Sequence, residues 1–549
     1  MADRALTLAA QCGVRLPSDL RVWALAGEAR SPSVARSGRA TATPSEAAWA
    51  LVRAMEGALS VEERQRGAHY TPEAVAEHVA ALALPRGAPA GPVVDPACGA
   101  GALLLAAADR VAATGQDRAA VARQLLFGAD IDPLAVAVAE AALALWSGGV
   151  PPARGHLIAG DPLGCGRSLW PAPPEGGFGA VVGNPPFQGQ LTKATARSAD
   201  EAGRLRRRFG GVVGPYVDTA ALFLLVGLDL AAPGARIAMV QPQSTAAARD
   251  AGPVRAALAE RARLVDLWAP PERLFAARVH VCVPVLEVGE GDGRADWSAE
   301  VAAARGTPRA DLGRAARLGR SREHLRDRAR VLGSFRDHYY GLVPHVTEAD
   351  VPPPMPPLVT SGLLGIGHCA WGEQPVRFAK RWWDQPVVDV EAVRAGSRRL
   401  DGWLGAVLAP KLVVASQTKV LEAAADAHGR WVPSTPTVSV VPTDPGDLGR
   451  LLAAVCSPVA SAWAASRAAG TALSADTFRV TRALLEALPL PLEAAAWDEA
   501  ERAMAAGDLE AYGEAATAMY GLGRHEAIEV LDWWRPRARS AWCPDGALR

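Results

Sequence analysis

Apolar and polar positions follow two rhythms in this chain. Between about residues 67 and 300, short apolar runs that end on a polar residue give way to longer stretches with apolar positions three and four apart. PVVDPACGAG reads as a buried strand entering a glycine turn, ALLLAAADRVAAT as a helix, LLFGADIDP as a second strand and LAVAVAEAALALW as a second helix. Further strands are predicted at Gly155 to Ala159, Ala180 to Gly183, Arg236 to Val240 and Val279 to Val288. Strand and helix in regular succession predict an α/β fold with helices on both faces of a mostly parallel sheet. Residues 1–66 carry helix-like spacing, as in Ala47 to Leu59, and form a helical extension. In HYTPEAVAEHV a helix is predicted with Thr71 as its cap and Pro72 and Glu73 in its first turn.

After residue 300 the alternation fades. Arg305 to Arg336 holds ten arginines against Asp311, Glu323 and Asp327, and VPPPMPP follows at 351–357, so 301–357 reads as an Arg-rich and Pro-rich junction. Residues 358–549 are richer in tryptophan and are expected to form a separate, mixed α+β domain. A length of 549 residues fits such a division.

Composition changes this picture little. Half the residues are apolar and 21% are charged, as in globular proteins. No apolar run is long enough to span a bilayer and no signal-peptide pattern opens the chain, so a cytoplasmic location without membrane is expected. The seven cysteines are scattered and no metal site is expected. Net charge is zero, so any affinity for a polyanion must come from local patches.

Candidate chemistry lies at the strand ends. In VVDPACGAGALLL, Gly99 and Gly101 would let the backbone approach a ligand closely, and Asp130 closes the next strand, where a carboxylate can accept ribose hydroxyls. The loop lacks the GxGxxG spacing that cradles a pyrophosphate, so a nucleoside without phosphates, such as S-adenosylmethionine, fits better than a dinucleotide. Asp161 follows another short strand and could reach an adenine amino group. GAVVGNPPFQGQ then places Asn184, Pro185, Pro186 and Phe187 after a strand, at the sheet edge where such folds bind ligands. An exocyclic aromatic amine is a poor nucleophile because its lone pair is delocalised. Two acceptors, the Asn184 side-chain oxygen and the Pro185 carbonyl, can draw that nitrogen toward tetrahedral geometry. Phe187 would stack on a base taken out of the duplex.

YTP at 70–72, DPACGAG at 95–101, DIDP at 130–133, GDP at 160–162 and NPPF at 184–187 stand in one order. In these motifs the chain resembles the N6-adenine DNA methyltransferases of the gamma arrangement, and its C-terminal part resembles the recognition domain of TaqI-like and Eco57I-like enzymes. The resemblance implies a Rossmann-like S-adenosylmethionine-dependent methyltransferase domain at 67–300 and a target-recognition domain at 358–549. It implies cofactor contacts at Thr71, Asp95, Ala97, Asp130, Asp161, Pro186 and Phe223, and a second base-stacking ring at Phe275. Double-stranded DNA is the implied partner, with a separate restriction or defence subunit beside it. Lys193, Arg197, Arg206, Arg207, Lys411 and Lys419 are candidate DNA contacts, with Arg204 and Arg208 adding positive charge near the catalytic loop. Methylation of RNA or of a protein glutamine, N4-cytosine methylation, and a non-enzymatic DNA-binding subunit are the alternatives. No Pro-Cys pair supports cytosine C5 chemistry.

Overall fold

The computed structural model describes residues 43–57, 71–86, 91–188, 197–270, 272–275, 279–294, 296–308, 323–349, 355–472, 474, 476–491 and 494–542. The chain divides into two compact units, Met1–Trp297 and Ser298–Arg549.

The first unit is built on an eight-stranded sheet. Its strands are β1 (Val93–Asp95), β2 (Leu126–Asp130), β3 (Leu157–Ala159), β4 (Phe178–Gly183), β5 (Ala231–Met239), β6 (Gln241–Pro242), β7 (Ala262–Trp268) and β8 (Val281–Val288). The order runs β3-β2-β1-β4-β5-β8, with β6 and β7 both paired to β8. The pairings from β3 to β5 are parallel, while every pairing of β8 is antiparallel. A mostly parallel, Rossmann-like sheet thus ends in an antiparallel edge. Strand β7 escapes a reading of the sequence because Arg263 and Asp266 interrupt its apolar residues and a bulge between Leu264 and Asp266 breaks the alternation.

The helices are α1 (Pro44–Gly57), α2 (Glu73–Ala83), α3 (Ala102–Ala112), α4 (Arg118–Gln124), α5 (Pro133–Trp146), α6 (Ala199–Phe209), α7 (Thr219–Leu230) and α8 (Gly252–Arg261). Helix α5 is apolar on nearly all sides, and every residue from Ala135 to Trp146 except Glu140 is buried. Both α1 and α3 pack against it. Leu51, Val52 and Met55 of α1 therefore belong to the same core as the strands, so the segment before residue 67 contributes to this unit's interior. The cap of α2 differs from expectation: Pro72 is the N-cap, no side chain caps it, and the Thr71 hydroxyl is engaged elsewhere.

The second unit is mixed α and β. Its strands include β9 (Ala329–Gly333), β10 (Val376–Phe378), β11 (Arg381–Trp383), β12 (Lys411–Ala415), β13 (Ala423–Asp426) and β14 (Thr437–Pro442). Four of these form an antiparallel sheet in the order β13-β12-β14-β9. Leu412, Val414, Val438 and Val440 from this sheet share a core with α10 (Leu448–Val455) and α11 (Pro458–Ala468), which follow α9 (Arg336–Leu342) in the chain. A second core gathers Leu342, Phe378, Trp383, Val388 and Leu404. Among the described residues no single helix is long and apolar enough to cross a membrane.

Candidate active site

Strands β1, β2 and β4 lie side by side and run parallel, so their carboxyl ends open on one edge of the sheet. Chain order reverses between β1 and β4, which is where open α/β sheets leave a crevice. Each strand ends on a candidate site residue or just before one: Asp95 closes β1, Asp130 closes β2 and Asn184 follows β4. A cavity of about 740 Å³ opens there, lined by Thr71, Asp95, Ala97, Gly99, Asp130, Asp161, Asn184, Pro186 and Phe223 among others.

Asp95 is 1% exposed. Its Oδ1 accepts from the backbone N–H of Ala97 at 2.9 Å, whereas Oδ2 is buried without a hydrogen-bond partner. Burial pushes the carboxyl pKa up to about 8 against the pull of the Ala97 bond, and the neighbouring Asp130 charge adds to the rise. A buried, unpartnered carboxyl oxygen on a residue that lines the cavity fits a cationic or N–H-bearing ligand. Asp130 receives the backbone N–H of Gly99 at 2.9 Å and of Asp132 at 3.0 Å, one on each oxygen, and burial raises its pKa too. These bonds hold the glycine loop against the end of β2, and each oxygen keeps a second lone pair for a ligand.

The two glycines play different roles. Gly99 has a φ of +49° and no heavy atom within 4 Å of where a Cβ would stand, so its backbone is open to the cavity. Gly101 does not line the cavity. With φ +93° it caps α3, and a Cβ there would come within 3.1 Å of the Ala139 Cβ, so it serves the packing of α3 on α5.

Asn184 is held from far away in sequence: its Nδ2 donates to Thr71 Oγ1 at 2.9 Å. That bond uses one of the two amide hydrogens and fixes which end of the amide is nitrogen, leaving Oδ1 as an acceptor. The residue after the tetrad is fixed as well, because the Gln188 N–H donates to Asp218 Oδ1 at 3.1 Å. That same oxygen caps α7 through Ala220 at 2.9 Å, and burial raises the Asp218 pKa. Pro185 is buried, and Phe187 and Phe275 are half-buried against one core cluster.

Asp161 caps a one-turn helix, Pro162–Cys165, through the N–H of Leu163 at 3.0 Å. Arg208 braces that turn by donating to the carbonyls of Pro162 at 2.8 Å and Leu163 at 2.5 Å while pairing with Asp229 at 3.3 Å. Arg208 is therefore a structural clamp. Arg197 points inward, donating to the Thr219 hydroxyl at 3.0 Å, and burial pulls its pKa down. Arg206 and Arg207 are exposed on α6, and Arg204 is exposed at the cavity rim.

One lysine assignment changes in the second unit. Lys411 is fully buried and cannot touch a phosphate: its Nζ pairs at 2.5 Å with Asp426, the residue directly opposite it across β12 and β13. Burial lowers its pKa. Lys419 lies at the surface in an ion pair with Asp476 at 2.7 Å. Lys193 and Tyr70 lie outside the described residues.

Met55, Asp218 and Glu201 are site residues that the sequence reading missed. Asp218 carries a signal of its own, an Asp-Thr pair opening the apolar run of α7. Met55 sits on the apolar stripe of α1, which does not by itself point to a cavity.

Residues 54–297 match the family model described as N-6 DNA Methylase. The matched stretch lies within the first unit. None of the curated proteins matches the chain. Among solved structures, the type IIL restriction-modification enzyme MmeI in complex with DNA is similar over 90% of this chain and 76% of its own, with 12% identity and a TM-score of 0.50. At that identity the likeness is one of fold, and it extends beyond residues 54–297. A modification subunit from Vibrio vulnificus YJ016 is 20% identical over 45% of this chain, with a TM-score of 0.35. The chain spans about half of that subunit, 49%.

Proposed function

We propose that this protein transfers a methyl group from S-adenosylmethionine to N6 of an adenine in double-stranded DNA. The observation that carries the reading is the Asn184 amide at the cavity edge, its nitrogen bound by Thr71 and its oxygen left as acceptor. The cavity suits the cofactor. The unpartnered Asp95 Oδ2 would take the amino group of its methionyl part, Asp130 its ribose hydroxyls and Asp161 its adenine amine, with the open Gly99 backbone alongside. Bound there, the cofactor supplies an electrophilic methyl group on a sulfonium.

The chain's own residues prepare the nucleophile. Asn184 Oδ1 and the Pro185 carbonyl accept the two amine hydrogens and shift the nitrogen lone pair toward the methyl donor, an electrostatic effect worth most away from water. Phe187, with Phe275 near it against the same core, would hold the flipped base by stacking. The family described as N-6 DNA Methylase favours adenine over the protein and RNA readings. Within a restriction-modification setting the reading also implies a separate subunit as partner.

The test is transfer of labelled methyl from S-adenosylmethionine to unmethylated duplex DNA, read as modified nucleosides, with Asn184→Ala beside the wild type. N6-methyladenine is expected with the wild type, and a loss of about 10²–10³-fold in rate with the variant, at unchanged cofactor affinity. Cofactor binding without any modified base would reject the DNA reading.

A further inference from the structure

The two lysines that the sequence nominated in the second unit are buried or ion-paired, but a third, Lys380, is set apart by its backbone. Among the described residues strands β10 and β11 pair only with each other, joined by the two-residue turn Ala379-Lys380. Ala379 and Lys380 have φ of +50° and +65° and are the non-glycine residues with positive φ among those described. Such a turn matches the right-handed twist of a ribbon, and it ordinarily recruits glycine or asparagine because a Cβ is strained there. Strain kept in a surface turn is a pointer to function.

The two faces of the ribbon differ sharply. Val376, Phe378 and Trp383 are buried in the second core, and Trp383 Nε1 donates to the Phe378 carbonyl at 3.0 Å. On the outward face Arg377 stands directly opposite Trp382, whose side chain is 69% exposed. Arg381 is exposed with its guanidinium 4.6 Å from the centre of the Trp383 ring. From Val376 to Trp383 there is no acidic residue. Asp384 follows at the foot, where Glu348 accepts the backbone N–H groups of Asp384 and Gln385. Arg377 and Lys380 have no ion-pair partner among the described residues, so their charge is available.

We propose that the ribbon Val376–Trp383 is a DNA-contacting element that enters the major groove of duplex DNA. Lys380 and Arg377 meet phosphates and Trp382 reaches the base edges. The inference rests on the DNA-substrate reading above. A major groove about 12 Å wide admits a two-stranded ribbon. Cations without acidic partners supply the phosphate attraction, and an aromatic ring held clear of the core can touch a thymine methyl or a base step.

The test uses the full chain and a fluorescent duplex of mixed sequence, with binding followed by anisotropy between about 50 and 200 mM salt. Arg377→Ala combined with Lys380→Ala is expected to lower the slope of log affinity against log salt by about 2. Trp382→Ala is expected to weaken binding about tenfold with the slope unchanged. Lys380→Gly separates contact from folding: glycine takes this φ without strain, so the melting temperature holds or rises while the slope falls by about 1. If the wild type binds and methylates DNA while these variants keep full affinity and slope, the ribbon inference falls alone. If the wild type binds S-adenosylmethionine but no duplex, both the ribbon inference and the DNA reading fall.

Discussion

Replacing Thr71 by valine removes a single hydroxyl and keeps the branched shape of a residue that is 6% exposed. The Asn184 Nδ2, which donates to that hydroxyl at 2.9 Å, then faces a methyl group. A hydrogen bond of this kind contributes about 1–1.5 kcal/mol net, and leaving a buried donor unmatched costs somewhat more. The amide then has no reason to present its oxygen, and a rotated amide would aim a donor at the two hydrogens of the target amine. The upper bound is complete loss of the acceptor, about 10²–10³-fold in rate. Loss of the orienting bond alone should lower kcat about tenfold at nearly constant KM for S-adenosylmethionine, and Thr71→Ser should restore most of the rate. The assay is steady-state methyl transfer with both substrates varied. An unchanged kcat with a raised cofactor KM would refute the orienting role and leave Thr71 as a cofactor contact only.

Asp95 gives a proton-linked prediction. Its folded pKa of about 8 lies above the ordinary carboxyl value, so the ligand-free protein holds this proton at pH 7 and loses the associated stability as pH rises toward and through 8. A cationic cofactor beside Asp95 should expel the proton, so that binding at pH 7 releases protons. Calorimetry in buffers of different ionisation enthalpy measures this, and a buffer-independent heat would contradict it. Lys411→Met leaves buried Asp426 without its cation, held only by the backbone N–H groups of Arg430 and Trp431, and should cost about 3 kcal/mol in urea unfolding, with no change in the salt dependence of DNA binding. A flattened salt slope with intact stability would instead return Lys411 to the DNA surface.

What the sequence determined by itself is the parallel α/β half of the fold and the strand ends at which its candidate site residues stand. The polar residues that end β1 and β2 and follow β4 mark where chain direction changes. A parallel sheet of such units brings Asp95, Asp130 and Asn184 to one edge whatever the loops do. The tertiary structure alone decided the partner of Asn184 and the docking of the Gly99 loop on Asp130. Thr71 and Asn184 are 113 residues apart, and no local pattern says that the hydroxyl serves the amide instead of capping α2. The same holds for charge. Lys411, Lys419 and Lys380 look alike in sequence, yet cross-strand pairing buries the first against Asp426, Asp476 holds the second, and a left-handed turn lifts the third clear of the core. Periodicity reports which face of an element is apolar, a property of neighbours a few residues away. Whether a charged side chain meets water, a carboxylate or a ligand depends on elements brought together from far along the chain, and only folding fixes that.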